Sequence, residues 1–378
     1  MSLRKCALCS SPIHSHNDTK EHVIPNAIGG RKKITGFICK TCNDTAGRQW
    51  DFDLSDQLNQ LSLFFDITRD RGAVPSEIIE TTGGEKVQLN ACGAMTIAKP
   101  RYEETPTKAG INIKLNARSM REAKAMLAGL KRKYPQIEVD KTLESIDYQK
   151  AYLNDMLKLK VSFGGHKAGR SIVKTAMALA KEAGVEPNAC ETAMKYLIGA
   201  DNEACFGFHY DPDLIGNRPE GLVFHCVSVC GNPQTKQILG YVEYFSAFRL
   251  IICLSNNYEG RSFSRTYAIN PVSGKEIDVK VDFRLSAENV ILCFQPKEFP
   301  IKALEKALEK IIPIGLSAAY RKERDRVVDQ AVEYAFKNCG AKEGEILSPA
   351  HINKISCLFV DKITPFLTSQ LQKRNTKP

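Results

Sequence analysis

The sequence predicts an α+β fold in which a small N-terminal module precedes an antiparallel sheet and a helical C-terminus. Three observations predict it: two Cys-x-x-Cys pairs near the start, four β-rich runs between residues 222 and 269, and a mostly helical stretch over 301–360. The chain has 378 residues, 43% of them hydrophobic, which is enough for two or three domains with buried cores.

The cysteine pairs open the chain. Cys6 and Cys9 form one pair and Cys39 and Cys42 the other, with 29 residues between the pairs. A two-residue spacer lets a tight turn point both thiolates at one tetrahedral ion, so two such turns complete a structural zinc site. Buried core cysteines are the alternative.

The chain also has no apolar run of the roughly 18 residues that a membrane span needs. We expect a cytoplasmic protein without a signal peptide or disulfides.

The middle elements follow from hydrophobic spacing. A helix is predicted over 43–66, a loop over 68–84, strands over 86–89, 94–98 and 111–115, and a helix that Ser119 and Glu122 cap. A strand at 157–163 precedes helices at 171–183 and 189–198, and the glycine-rich stretch 164–170 is interpreted as a loop. We predict three segments: 1–66, 85–135 and 150–378.

The β-rich region follows. Its strands are predicted over 222–229, 237–245, 249–254 and 262–269, with the helical region 301–360 after them. His225, Cys226 and Cys230 fall in the first of these strands, where side chains alternate between the two faces of the sheet. Core packing is therefore the preferred interpretation of these three residues, and a second metal site is the alternative.

Three residues of types that act in hydrolysis lie close to the two cysteine pairs in the sequence. Glu21 and His22 precede the second pair, and Asn43 follows it directly. Hydrolysis of a phosphodiester needs a base with a pKa near 7 and a hard cation. His22 suits the base, while Glu21 and Asn43 offer oxygen ligands to Mg²⁺ or Mn²⁺.

Basic residues surround Glu21, His22 and Asn43 in the sequence. Residues 1–50 contain eight Lys and Arg against three Asp and Glu, so half of the net charge of +10 lies there. A local excess of positive charge suits DNA, because each Lys or Arg on a phosphate releases a condensed counterion. A solvated basic face is the alternative. The candidate phosphate-binding residues are Arg31, Lys32, Lys33, Lys40 and Arg48.

These motifs resemble the HNH, or ββα-metal, endonuclease family in its treble-clef form. The order of Cys6-x-x-Cys9, Glu21-His22-x-x-Pro25 and Cys39-x-x-Cys42-Asn43 is similar to endonuclease VII-type enzymes. The resemblance implies that His22 is the general base, that Glu21 and Asn43 bind the catalytic ion, and that the cysteines hold structural zinc. The middle Asn of the family, which orients the base, has no counterpart in residues 34–38.

The resemblance implies a metal-dependent DNA endonuclease, and restriction or anti-phage defence would be its setting. A homodimer would cut both strands. Two alternatives stay open. One is a zinc-containing regulator that binds DNA without cleaving it, and the other is a nuclease gated by a small nucleotide on its C-terminal region.

Overall fold

The structure is a computed structural model. It describes residues 4–108, 110–146, 152–153, 155–200, 203–285, 290, 293–294 and 299–375, and residues 373–375 are described by their backbone only. The chain forms two compact units: Met1–Pro75 with Lys160–Leu316, and Ser76–Leu159 with Ser317–Pro378. The division into three segments stays a prediction, and its boundary at residue 150 lies outside the described residues. None of the described helices has the length and apolar content of a membrane span.

The mixed α+β fold is confirmed. Its strands are β1 (Glu21–His22), β2 (Lys33–Ile34), β3 (Glu77–Thr81), β4 (Lys86–Leu89), β5 (Met95–Ile97), β6 (Arg101–Thr107), β7 (Gly110–Asn116), β8 (Leu157–Lys158), β9 (Phe206–Phe208), β10 (His225–Asn232), β11 (Gln237–Tyr244), β12 (Phe248–Ser255) and β13 (Phe263–Ile269). Its helices are α1 (Lys40–Ala46), α2 (Phe52–Gln57), α3 (Asn59–Phe64), α4 (Met120–Lys133), α5 (Val139–Glu144), α6 (Gly165–Glu182), α7 (Glu191–Ile198), α8 (Ile301–Asn338) and α9 (Pro349–Asn375).

The N-terminal part of the first unit is a short hairpin followed by short helices. Strands β1 and β2 pair antiparallel, with Glu21 opposite Ile34 and His22 opposite Lys33. A π-helical turn, Gly47–Asp51, joins α1 to α2. The predicted helix over 43–66 is thus a series of short helices. Its apolar face is buried as the spacing predicts, through Trp50, Leu54, Leu58, Leu61 and Phe65.

An antiparallel sheet in the order β13-β10-β11-β12-β9 forms the centre of the first unit. Helix α6 packs across four of its strands. A Cβ atom on Gly240 of β11 would lie 3.0 Å from Cβ of Ala176, so the glycine allows a close approach of helix and sheet. Residues of the opposite face, among them Tyr241 and Ile251, pack into a core with Leu214 and Ile215. Strands β11 and β12 are buried on both faces as a result.

The second unit contains a four-stranded antiparallel sheet, β5-β4-β3-β8, and the hairpin β6-β7. The predicted cap of α4 is confirmed, because the Ser119 hydroxyl accepts a hydrogen bond from the backbone N–H of Glu122 at 3.2 Å. In the helical part of this unit, the rings of Tyr320 in α8 and Phe366 in α9 stack at 5.8 Å between centroids. The antiparallel sheet and the helical C-terminus are therefore both present.

Two predicted loops are wrong in part. Residues 165–170 of the glycine-rich stretch form the first turns of α6, and Gly169 packs so closely there that a Cβ atom would meet Tyr196 and Phe206. Strand β3 lies within the predicted loop 68–84. It pairs with β4 and β8, and these partners cannot be recognised from its own five residues. Both elements depend on tertiary contacts rather than on local spacing.

His225 joins the N-terminal hairpin to the central sheet. Its side chain is fully buried; Nε2 donates to the backbone oxygen of Ile28 at 2.8 Å, and Nδ1 accepts from the N–H of Phe245 at 2.9 Å. Burial lowers the pKa of His225 to about 4, so the ring is neutral. Cys226 beside it is buried and Cys230 is half-buried. His225 therefore serves in the core, as the alternation along its strand predicts.

Gly30 closes the loop that follows His22, and we expect Gly30→Ala to destabilise the protein by about 3 kcal/mol. A Cβ atom there would lie 1.8 Å from the backbone oxygen of Ile24, a fully buried residue, so the backbone itself would have to shift. Gly47→Ala is the matched control, since nothing lies within 4 Å of its Cβ position. Chemical denaturation of the zinc-loaded variants measures both effects. Equal stabilities for the two variants would contradict the prediction.

Candidate active site and zinc centre

The four ligand-spaced cysteines lie together at the start of the first unit. The sulfur atoms of Cys6, Cys9, Cys39 and Cys42 are all within 4.8 Å of one another. Cys9 and Cys39 have a sulfur–sulfur distance of 3.7 Å, and a zinc ion with bonds of about 2.3 Å in a tetrahedron requires about 3.8 Å. The four predicted ligands are therefore brought close enough together to hold a metal ion such as zinc.

The backbone supports this cluster. Cys39 is the N-cap of α1, and its N–H donates to the Cys6 sulfur at 3.3 Å. The N–H of Ala7 donates to the Phe37 oxygen at 2.9 Å, which ties the two cysteine turns to each other. Asn43 lies in the first turn of α1, where its N–H donates to the Cys39 oxygen at 2.9 Å. The backbone of Asn43 therefore lies one helical turn after Cys39, beside the cysteine cluster.

His22 lies at the edge of the hairpin, with its side chain 16% exposed. Its Nε2 is 3.2 Å from a carboxylate oxygen of Asp70. An ionised carboxylate only accepts hydrogen bonds, so Nε2 carries the hydrogen and Nδ1 keeps its lone pair. Burial lowers the pKa of His22 below its ordinary value, although the hydrogen bond that the ring donates to Asp70 opposes this effect. The ring is mostly neutral at pH 7 and able to accept a proton.

Asp70 also gathers two of the five predicted phosphate-binding residues. Arg31 Nη1 lies 2.5 Å and Lys33 Nζ 2.6 Å from its carboxylate oxygens. Hydrogen bonds from Lys33 first, then from Arg31 and His22, hold the pKa of Asp70 well below its usual range. The N–H of Asp70 donates to the Asn26 side chain at 2.7 Å, which ties its loop to the loop after His22. A base and two cations therefore share one carboxylate.

The other predicted phosphate-binding residues lie elsewhere. Lys32 Nζ is 3.5 Å from Glu182, and it lies over the Tyr267 ring at 5.1 Å from the centroid. Lys40 is exposed, and the exposed Arg48 donates to the backbone oxygen of Asp44 at 3.1 Å. Of the five, Arg31 and Lys33 are the ones that the structure places at His22.

Glu21 points away from solvent into a buried ion cluster. Its side chain is 6% exposed and accepts from the ammonium of Lys174, whose side chain is 2% exposed. Lys174 also donates to Asp51 at 2.7 Å, and the Ser171 hydroxyl donates to the other oxygen of Asp51 at 2.5 Å. Burial alone would lower the pKa of Lys174, but Asp51 and Glu21 outweigh it and hold the pKa above its ordinary value. Lys174 is therefore a cation.

The two predicted metal sites differ in how their residues fit an ion. The four thiolates fit zinc. The carboxylate of Glu21 does not fit an open ligand of Mg²⁺ or Mn²⁺, because it already accepts from a buried ammonium. The role of Glu21 and Asn43 as ligands of a catalytic ion stays a prediction.

Residues 6–59 match the HNH endonuclease family. The segment, called the HNH segment below, contains both cysteine pairs, Glu21, His22 and Asn43. No curated protein and no solved structure matches the chain. The family predicted from the motifs is confirmed for this segment at the level of HNH endonucleases, and the likeness to endonuclease VII stays a prediction.

Asp51, Asp70 and Lys174 are residues that sequence reasoning missed at this site. Asp70 lies 48 residues after His22 in a predicted loop, and Lys174 lies 153 residues after Glu21. A lysine in the middle of the apolar face of α6 is the one signal that the sequence offered for the second contact.

We expect Cys39→Ser to release zinc and unfold the HNH segment, because structural zinc contributes on the order of 10 kcal/mol to folding. Trp50, the single tryptophan of the chain, is buried in this segment and reports its unfolding by fluorescence. Cys357→Ser in α9 is the control, since this cysteine is exposed. Zinc content is measured on both variants. A Cys39→Ser protein that retains zinc and native fluorescence would refute the zinc site.

Asp70→Asn should lower the pKa of His22 further, because it removes the carboxylate that favours the protonated ring and leaves Arg31 and Lys33 beside it. An NMR titration of the imidazole gives the midpoints, with the wild-type midpoint below 6.5. Asp44→Asn, at an exposed position in α1, is the control and should leave the midpoint unchanged. A midpoint that rises in Asp70→Asn would contradict the assignment of this pair.

Proposed function

We propose that the protein is a DNA endonuclease that hydrolyses phosphodiester bonds at the HNH segment, with His22 as the general base. The observation that carries the proposal is the hydrogen bond between His22 Nε2 and Asp70 at 3.2 Å, together with the two cations on the same carboxylate. The match of residues 6–59 to HNH endonucleases supports this class of reaction.

His22 takes the proton of the attacking water on Nδ1. Asp70 holds the ring in the tautomer that leaves this nitrogen free, and it stabilises the imidazolium that forms. Asp70 thus performs the orienting task for which the sequence has no middle Asn. It comes from a loop outside the HNH segment. The products are a 3′-hydroxyl and a 5′-phosphate, as the chemistry of the family implies.

Arg31 and Lys33 bind the phosphate groups beside the scissile bond. With Asp70 they carry one net positive charge next to His22, and both side chains reach solvent. Contacts of this kind hold the DNA backbone in position and read little sequence. The choice of target therefore rests on other residues of the chain or on a partner.

The requirement for Mg²⁺ or Mn²⁺ stays a prediction, as do the homodimer, the setting in restriction or anti-phage defence and the nucleotide-gated alternative. Zinc has a structural role in the proposal, since four thiolates fill its coordination shell. Nicking that begins only when a small nucleotide is added would support a gated nuclease.

His22→Ala should reduce nicking of supercoiled plasmid by between about 100-fold and 10,000-fold, the usual contribution of a general base. The assay compares Mg²⁺, Mn²⁺ and EDTA. His16→Ala is the matched control, because this histidine is exposed and stacks on His14 at 5.5 Å. Absence of nicking by the wild type, with salt-sensitive DNA binding retained, would refute the endonuclease and favour the non-catalytic regulator.

A further inference from the structure

The buried cluster around Lys174 differs from a metal site in one respect, which is that a cation of the chain already lies in it. The ammonium of Lys174 lies between the carboxylates of Glu21 and Asp51, with contacts to both. Ser171, one helical turn before Lys174, donates to the remaining oxygen of Asp51. Two carboxylates and their cation are thus held within hydrogen-bonding distance.

The side chain of Lys174 is itself almost fully buried, with 2% of its surface exposed. It lies near the middle of α6, and its neighbours Ile172, Val173, Ala176 and Met177 are all 1% exposed or less. A lysine at the end of a helix can extend its charge to solvent, but one surrounded by buried residues cannot. The ammonium must therefore keep a carboxylate partner in the folded protein.

A divalent ion on Glu21 would lie beside this ammonium. Like charges at such short range in a poorly hydrated site repel strongly, since the interaction grows as the inverse of both distance and dielectric constant. The single negative charge of Asp51 could balance the ammonium of Lys174, but it could not balance the divalent ion as well. Binding of an ion by Glu21 therefore competes with its pairing to Lys174.

We propose that Lys174, and not a divalent ion, is the counter-ion of Glu21 and Asp51 in the native protein. Glu21 is then a positioning residue: its pair with Lys174 anchors β1, and β1 carries His22 as the next residue. This inference rests on the proposed function, because Glu21 is expected to bind a catalytic ion only if the protein is an HNH nuclease. Any divalent ion that serves the reaction is held without Glu21.

The test is a titration with Mn²⁺ alone, followed by electron paramagnetic resonance, on the zinc-loaded full chain. Four proteins are compared: the wild type, Glu21→Gln, Lys174→Met and the double variant Glu21→Gln/Lys174→Met. Thermal unfolding of each is recorded with and without Mn²⁺. The double variant is the matched control, because it removes the ammonium and one carboxylate together.

We expect Glu21→Gln to bind Mn²⁺ as the wild type does, within twofold. Lys174→Met frees two carboxylates and should bind Mn²⁺ at least tenfold more tightly than the wild type, with a higher melting temperature in its presence. The double variant should lose this gain.

A loss of more than twofold in Mn²⁺ affinity for Glu21→Gln would overturn the inference, because Glu21 would then be a ligand. It is also overturned if Lys174→Met gains no affinity, or if it is unfolded and Mn²⁺ does not restore it. Plasmid nicking by the wild type is measured separately. Its absence refutes the nuclease proposal, whereas the Mn²⁺ titrations decide the role of Lys174 in either case.

Discussion

The buried ammonium of Lys174 is the constraint on which the first unit depends. Removing a charged group from water costs several kcal/mol, and a folded chain tolerates it only where partners of opposite charge are in place. Both partners, Glu21 and Asp51, lie in the HNH segment, while Lys174 belongs to a helix of the central sheet. The loss of one partner would cost about 3–5 kcal/mol. The HNH segment and α6 therefore have to fold as one body.

The two acidic residues next to the hairpin serve different purposes because they differ in exposure. Glu21 is enclosed with its lysine, so its pair is permanent. The side chain of Asp70 is 23% exposed. It contacts Arg31, Lys33 and His22, whose side chains also reach solvent. Ion pairs in contact with water are weak and exchange readily. The buried pair of Glu21 and Lys174 thus holds β1 in place. The accessible pairs of Asp70 with Arg31 and Lys33 can open, so that these two cations can bind a phosphate.

Sequence reasoning was strongest where local spacing encodes the chemistry. The four zinc ligands, the buried face that includes Leu54 and Leu58, and the cap at Ser119 all depend on residues a few positions apart. His22 could be singled out for the same reason. The fold class followed from periodicity, although β3 and the first turns of α6 did not, because sheet partners and close packing create them.

The partners of the site residues could not be predicted, since they lie far away in the chain. Nothing near Asp70 indicates that it meets His22, and Glu21 is a plausible metal ligand until the position of Lys174 is known. Spacing identifies which side chains carry chemistry. It does not identify which opposite charge each of them meets after folding.

The hydrogen bond from His225 to Ile28 spans 197 residues and has a consequence for synthesis on the ribosome. At about 5–20 residues per second, the second half of the first unit emerges roughly 10–40 s after the hairpin it covers. Early in that interval the four cysteines have left the ribosome, whereas α6 and the sheet have not. A zinc ion on the four cysteines and the loop of Asp70 are partners that can stabilise the hairpin early, so we expect metal supply to affect how well the nascent segment is ordered before the rest of its core arrives.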